Sequence, residues 1–205
     1  MAGSTEKEDM IQQQVIRAAQ QLYQQHGLHK VTMEDVAKAI GKGKSSLYYY
    51  YKSKEEIFDA VMNVEIKEII AEIAHAVNMA DTIEEKIQAF CIAKFKISKK
   101  RKTTFNTMDT GMNIDELASY TRTKQHLHKQ FRMQESAFFK KILEAGIEKR
   151  EILSIDENEM DMVVFVLLSS FRGLKREIIE ENNDKDEDEA ARTMCTLIMN
   201  GLRRQ

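Results

Sequence analysis

Residues 31–61 read VTMEDVAKAIGKGKSSLYYYYKSKEEIFDAV, and their spacing decides the fold of the N-terminal part of the chain. Thr32 stands before Met33 with Asp35 three residues on, a relative of the capping box that opens helices. Gly41 breaks this first short helix, and a second begins at about Lys44. With Met33 as the first position, Ala37 is the fifth, Gly41 the ninth, Leu47 the fifteenth and Tyr50 the eighteenth. That is the spacing of a helix-turn-helix. A small residue lets two helices cross closely, glycine takes the tight turn, and apolar residues on the second helix pack inward. Lys44, Ser45, Tyr48 and Tyr49 then face outward, with Ser46 near the helix start. Hydroxyls and a lysine at a helix N-terminus suit phosphate, because unpaired N–H groups and the helix dipole favour anions there. Tyrosine adds a flat apolar surface with a hydrogen-bonding tip, usable on sugar-phosphate or a thymine methyl. Four successive tyrosines cannot share one core, since neighbours on a helix point about 100° apart. Tyr50 and Tyr51 are the core candidates, Tyr48 and Tyr49 the exposed pair.

Charge is distributed to match. Across 205 residues the formal net charge is −2, yet residues 28–54 carry six lysines (30, 38, 42, 44, 52 and 54) against Glu34 and Asp35. A local excess of four positive charges on an otherwise acidic chain is the form of a surface that meets phosphate while the rest avoids it. At the other extreme, EENNDKDEDE at 180–189 reads as a solvated connection.

Outward from this segment the pattern is helical throughout. Proline is absent and glycines number 8, so obligatory turns are few and long helices are expected. Capping boxes are legible at Thr5/Glu8, Ser53/Glu56, Thr82/Glu85 and Ser154/Glu157. Apolar stripes at helical spacing run through Ile11, Val15, Ala19 and Leu22, through Ile66, Ile69, Ile70, Ile73 and Val77, and through Ile83, Ile87, Phe90, Cys91 and Ile97. No stretch alternates with period two. The reading is all-α, with about nine helices at 6–26, 33–40, 44–50, 54–79, 82–101, 105–117, 120–148, 156–181 and 187–203. The expected division is a DNA-binding domain over 1–53 and a larger helical domain over 54–205. No apolar run approaches the ~18 residues of a membrane span, the polar start MAGSTEKEDM is no signal peptide, and two cysteines make no disulfide framework. A cytoplasmic protein without membrane association is expected.

The segment IRAAQQLYQQHG followed by residues 31–61 resembles the DNA-binding domain of the TetR (tetracycline repressor) family of bacterial regulators. The resemblance rests on Ala18-Ala19, Gly27, Val31-Thr32, Asp35-Val36-Ala37, Leu47-Tyr48 and Lys52-Ser53-Lys54-Glu55. It implies an operator-binding dimer released by a small molecule that enters the C-terminal domain. By resemblance Thr32, Lys44, Ser45, Ser46, Tyr48, Tyr49 and Lys54 fall where the family touches DNA. The family's Gly-Val-Ser before the recognition helix reads Gly41-Lys42-Gly43 here, and Lys42 is expected to lie outward and add a phosphate contact.

Residues 161–174 are apolar almost all round, so a helix there must be buried on several faces. The resemblance makes this and the last helix a dimer interface, with Phe165, Leu168, Phe171, Met194 and Ile198 as candidates and Ser169, Ser170 and Gly173 allowing close approach. A ligand cavity is expected among the helices of 54–149, where Phe90, Met108, Met112 and Met133 are adaptable or aromatic candidates. His126 and His128, two residues apart, lie on different helix faces and make no metal pair. No nucleophile elbow, phosphate loop or paired catalytic carboxylate appears, so neither an enzyme, a cofactor nor a metal is expected. The leading reading is a ligand-responsive, sequence-specific regulator, most often a repressor in such a family, with double-stranded DNA, an unidentified effector and a second copy as partners. The rival reading is a helical adaptor or ligand-binding protein with only nonspecific DNA affinity.

Overall fold

The computed structural model describes residues 2–106, 114–180 and 185–203. They form α1 (Ala2–His26), α2 (Met33–Ala39), α3 (Lys44–Tyr50), α4 (Lys54–Asn78), α5 (Ile83–Asn106), α6 (Ile114–Glu148), α7 (Glu157–Lys175) and α8 (Glu187–Leu202), with a π-helical turn at Arg176–Glu180 after α7. No strand occurs among the described residues, and the fold is all-α.

Helix starts show which sequence signals the backbone uses. Thr82 and Glu85 form a full capping box, the Thr82 N–H donating to the Glu85 carboxylate at 3.0 Å and the Glu85 N–H to the Thr82 hydroxyl at 3.2 Å. At Ser53 the box is split: the Glu56 N–H donates to Ser53 Oγ, while the Glu56 carboxylate accepts from the Lys52 N–H instead. Two expected boxes are not helix starts. Helix α1 already runs from Ala2, so Thr5 lies inside it. Helix α7 is capped by Asp156 rather than Ser154, because the Asp156 carboxylate accepts from both Asn158 and Glu159 N–H groups at 2.9 Å. The separate helices expected over 105–117 and 120–148 are also revised: 105–106 end α5, and α6 is one helix from Ile114.

The chain divides into two compact units, residues 1–67 with 102–129 and residues 68–101 with 130–205. Helices α4, α5 and α6 each contribute to both, whereas the boundary expected at 53/54 coincides with the start of α4.

In the first unit Ile11, Val15 and Ala19 of the stripe expected on α1 are interior, whereas Leu22 is half-buried and the neighbouring Tyr23 fills the core instead. Val36 and Ala37 of α2, Leu47 of α3 and Ile57, Phe58 and Val61 of α4 are also buried. Tyr23 meets Phe58 edge-on at 6.2 Å, a favoured aromatic arrangement. Ala37, fully buried, is the small residue that lets α2 and α3 lie close.

The second unit holds a larger core built from Ile73, Val77, Ile87, Phe90, Phe95, Phe139, Leu143, Val164, Leu168, Phe171, Met194 and Ile198. Its rings interlock: Phe90 on Phe139 at 4.8 Å and Phe95 on Phe171 at 4.7 Å. Burial of each such ring contributes about 1.5–3 kcal/mol. The packing is tight at Gly146, where a Cβ would come within 2.8 Å of Ile83 Cγ1 and 3.3 Å of Ile152 Cγ1. Alanine is the better helix former by about 1 kcal/mol, but overpacking a filled core costs about 1–3 kcal/mol. Gly146→Ala should therefore lower the melting temperature, and a raised one would contradict the packing described.

Candidate nucleic-acid interface

Helix α3 has seven residues, too few to be stable alone. Its position is imposed by Leu47, fully buried, and by Tyr51 at its C-terminal boundary, also buried. Tyr50, expected in the core, is half-buried and packs edge-on against Tyr49 at 5.0 Å. With the inner face so fixed, the opposite face is committed to solvent. Lys44, Ser45, Ser46, Tyr48 and Tyr49 are all exposed, Tyr49 to 67%. A tyrosine left two-thirds in water by a rigid two-turn helix has no structural role on its own unit beyond the contacts below.

The turn before α3 uses Gly41 at φ +66°, a left-handed conformation that glycine adopts without strain. Gly43 occupies the N-cap position and supplies no side-chain cap; its carbonyl accepts from the Ser46 N–H at 3.0 Å, and no side chain caps the first turn of α3. Lys42 is half-buried rather than fully outward. At the other end, Lys52 Nζ donates to the Tyr48 carbonyl at 3.0 Å and to that of Tyr49 at 3.4 Å, so a lysine closes the C-terminus of the helix.

Helix α2 is held by the Thr32/Asp35 box. The Thr32 N–H and hydroxyl both donate to Asp35 Oδ2, at 2.9 and 2.7 Å, and the Asp35 N–H returns to Thr32 Oγ1 at 3.2 Å. These donors hold the Asp35 carboxyl below its ordinary range, first through the Thr32 hydroxyl and then through its N–H. Thr32 is exposed and opens an outward depression of about 370 Å³ whose walls include His29, Glu34, Lys44, Tyr48 and Lys54. Four of the DNA-contact candidates, Thr32, Lys44, Tyr48 and Lys54, thus converge on one concavity. Lys54 is half-buried and donates from Nζ to the His29 carbonyl at 3.2 Å, tying the start of α4 to the connection between α1 and α2.

Two contacts escaped the sequence. The Tyr49 hydroxyl donates to Glu8 Oε1 at 3.3 Å, and Lys52, counted there only as part of the basic patch and the resemblance, is exposed and also caps α3. Glu8 lies 41 residues from its partner, and no local pattern could signal that contact.

The remaining candidates sit elsewhere. Phe90 is buried in the second unit, and Met133 is 65% exposed. Met108 and Met112 lie outside the described residues. Leu168, Phe171, Met194 and Ile198 are buried within the second unit's own core, which leaves them little surface to offer another chain, whereas Phe165 is 62% exposed. Among the described residues no group of three His, Cys, Asp or Glu could hold a metal ion, and no helix is long and apolar enough to cross a membrane.

Comparison with known proteins bears on the same segment. Residues 15–61 match the family model for bacterial regulatory proteins of the tetR family. An HTH-type transcriptional regulator of Bacillus subtilis (strain 168), YhgD, is 22% identical over 188 residues, spanning 92% of this chain and 94% of that one. The fold is shared with the fatty acid degradation regulator FadR of Bacillus halodurans, with a TM-score of 0.63 at 19% identity, covering 95% of this chain and 97% of that one. It is also shared with FadR of Bacillus subtilis in complex with stearoyl-CoA, with a TM-score of 0.59 at 16% identity over 92% and 98% of the two chains.

The capping box gives a direct check on how this surface is held. Thr32→Ala removes the hydroxyl half of the box and should cost about 1 kcal/mol of stability. Asp35 has a depressed pKa in the folded state, so its contribution is present above the ordinary carboxylate pKa and is lost as pH falls through the folded value. The deficit of Thr32→Ala in thermal denaturation should therefore be full at pH 7 and shrink in acid. A deficit that grows as pH falls would contradict the box.

Proposed function

We propose, from the match of residues 15–61 to the tetR family of bacterial regulatory proteins, that this chain is a transcriptional regulator of that family, a cytoplasmic repressor that binds a palindromic operator as a dimer and is released by a small molecule. The observation that carries the reading is the face of α3: five consecutive-turn side chains, Lys44, Ser45, Ser46, Tyr48 and Tyr49, exposed on a helix whose other side is locked by Leu47. Such a face fits the major groove, with Tyr49 and Tyr48 at bases or sugars and Lys44, Thr32 and Lys54 at phosphates. Half-buried Lys42 stands beside them with a smaller part.

A reader of two half-sites needs two copies. Support for a second copy comes from α7 and α8. Met162, Phe165 and Val166 are exposed at 62%, 62% and 49%, and Ser169 and Gly173 continue the same helical stripe with small residues. On α8, Leu197 is 69% exposed. An apolar stripe of this kind on a soluble chain marks an interaction surface. The interface proposed here is accordingly Met162, Phe165, Val166 and Leu197, with Phe165 the one residue kept from the sequence-based set. Release follows from linkage: an effector that prefers the arrangement with mis-spaced reading helices lowers DNA affinity by its differential affinity, about 1–3 kcal/mol in typical cases.

Duplexes enriched from a random pool by the purified protein should share a palindrome. On that duplex Tyr49→Ala, or the triple variant Lys44→Ala/Ser45→Ala/Ser46→Ala, should reduce affinity at least a hundredfold with helicity and solution mass unchanged. Undiminished affinity in both would overturn the assignment of α3. In sedimentation, Phe165→Glu/Leu197→Glu should convert the dimer to a folded monomer and weaken operator binding at least tenfold; a dimer that survives the pair of glutamates would refute this interface.

A further inference from the structure

The second unit contains one cluster that its packing does not require. Lys94 on α5 and Glu135 on α6 are 7% and 1% exposed and form an ion pair, and Arg172 on α7 approaches the other carboxylate oxygen at 3.8 Å. Lys94 and Glu135 are the only buried charged residues of this unit among those described. An apolar pair of similar volume would serve a core as well or better, so the charges ask for a function.

The cluster is unbalanced in charge and in hydrogen bonds. Lys94 donates to Glu135 and otherwise faces aromatic rings, with Nζ 4.5 Å from the centre of Phe171 and 5.3 Å from that of Phe90. An ammonium carries three donors, of which one meets Glu135 Oε1, while the buried Glu135 Oε2 accepts no hydrogen bond from the described residues and has Arg172 near it. Among the described residues Glu135 is the one acid in contact, against Lys94 and Arg172, and Lys175 and Arg132 add positive potential from α7 and α6. Cys91, one turn before Lys94, brings no counter-charge near neutrality, since burial pushes its thiol up to about 12. Burial and the neighbouring cations push the Lys94 ammonium down to about 7. With Lys94 protonated, the cations of the described cluster outnumber its acid, and an anion would restore the balance. The side chains around the cluster are apolar: Phe90, Phe95, Phe139 and Phe171 are buried, and Phe138 stacks on Phe90 at 6.4 Å. Arg172 is 37% exposed and donates to Ser169 at 2.7 Å, so the cluster reaches the surface at a guanidinium, a group shaped for bidentate carboxylate binding.

We propose that Lys94 and Arg172, held by Glu135, form the anion-binding end of a site in the second unit that takes a monocarboxylic acid with an apolar body. The carboxylate accepts from Lys94 and Arg172 and restores charge balance, and the body lies against the phenylalanine rings. As the identity of the effector, this rests on the regulator reading above; as a binding site, it stands without it.

The test uses the full-length protein and pairs of probes that differ only in the head group: decanoate with 1-decanol, and 3-phenylpropanoate with 3-phenyl-1-propanol. Binding is followed by calorimetry and thermal shift in the absence of DNA. At least one acid should bind tenfold or more tightly than its alcohol. Arg172→Gln, at a partly exposed position, should cut that preference severalfold. The double variant Lys94→Met/Glu135→Met, which removes the pair together and avoids stranding a buried charge, should bring acid and alcohol within about threefold. Equal binding of acid and alcohol by the unaltered protein, a preference that persists in both variants, or no binding by any probe would overturn the site. An acid that binds yet leaves operator affinity unchanged would overturn its role as effector while the site itself stands, so the two readings fail separately.

Discussion

A helix of two turns has no stability of its own, and the function proposed here hangs on such a helix. α3 spends its inner side, Leu47 and the adjoining Tyr51, on the core of the first unit, and it is closed at its C-terminus by Lys52. Everything near it serves to make that short element rigid: Gly41 sets the turn, the Thr32/Asp35 box starts α2, and Lys54 fastens the start of α4 to the His29 carbonyl. The outcome is that five polar or aromatic side chains face solvent in a fixed array. Preorganisation of this kind means that little side-chain or backbone entropy remains to be lost on meeting a partner.

The second unit works under a different constraint. Its core is large enough to need no charges, yet it places a lysine, a glutamate and an arginine from three successive helices in contact. Two of those helices, α5 and α6, also contribute residues to the first unit, as does α4. A ligand that re-pairs Lys94 and Arg172 acts on elements that are continuous with the reading unit, which is the minimum that linkage between a ligand and DNA requires. The exposed stripe of α7 and α8 completes the scheme, because a spacing between two reading helices has meaning only when there are two of them.

Much of this was legible in the sequence because it depends on local chemistry. The positions of Ala37, Gly41 and Leu47 follow from helix period and turn geometry, and the exposure of Tyr48 and Tyr49 follows from the angle between neighbours on a helix. Helix starts were read less well where two acceptors compete: Ser154 and Asp156 both precede α7, and only coordinates show the aspartate taking both N–H groups. The end of α6 carried no glycine signal at all, since Arg150 takes the left-handed position at φ 61°. Burial on α7 and α8 was harder still. A helix apolar on several faces announces that it is covered, but not which faces its own unit covers, so Leu168 and Phe171 could not be told from Phe165. Long-range pairs such as Lys94 with Glu135 and Tyr49 with Glu8 are set by tertiary packing and leave no trace in spacing.

The central claim is that α3 reads sequence, and not only phosphate. The most direct measurement is the affinity of the purified protein for its selected duplex and for a random duplex of equal length across a salt series. The account predicts that both affinities fall as salt rises, while a preference of about 10³ or more for the selected duplex persists at about 150 mM. Affinities that fall together, with no preference left at that salt, would show a surface that meets only phosphate and would contradict it.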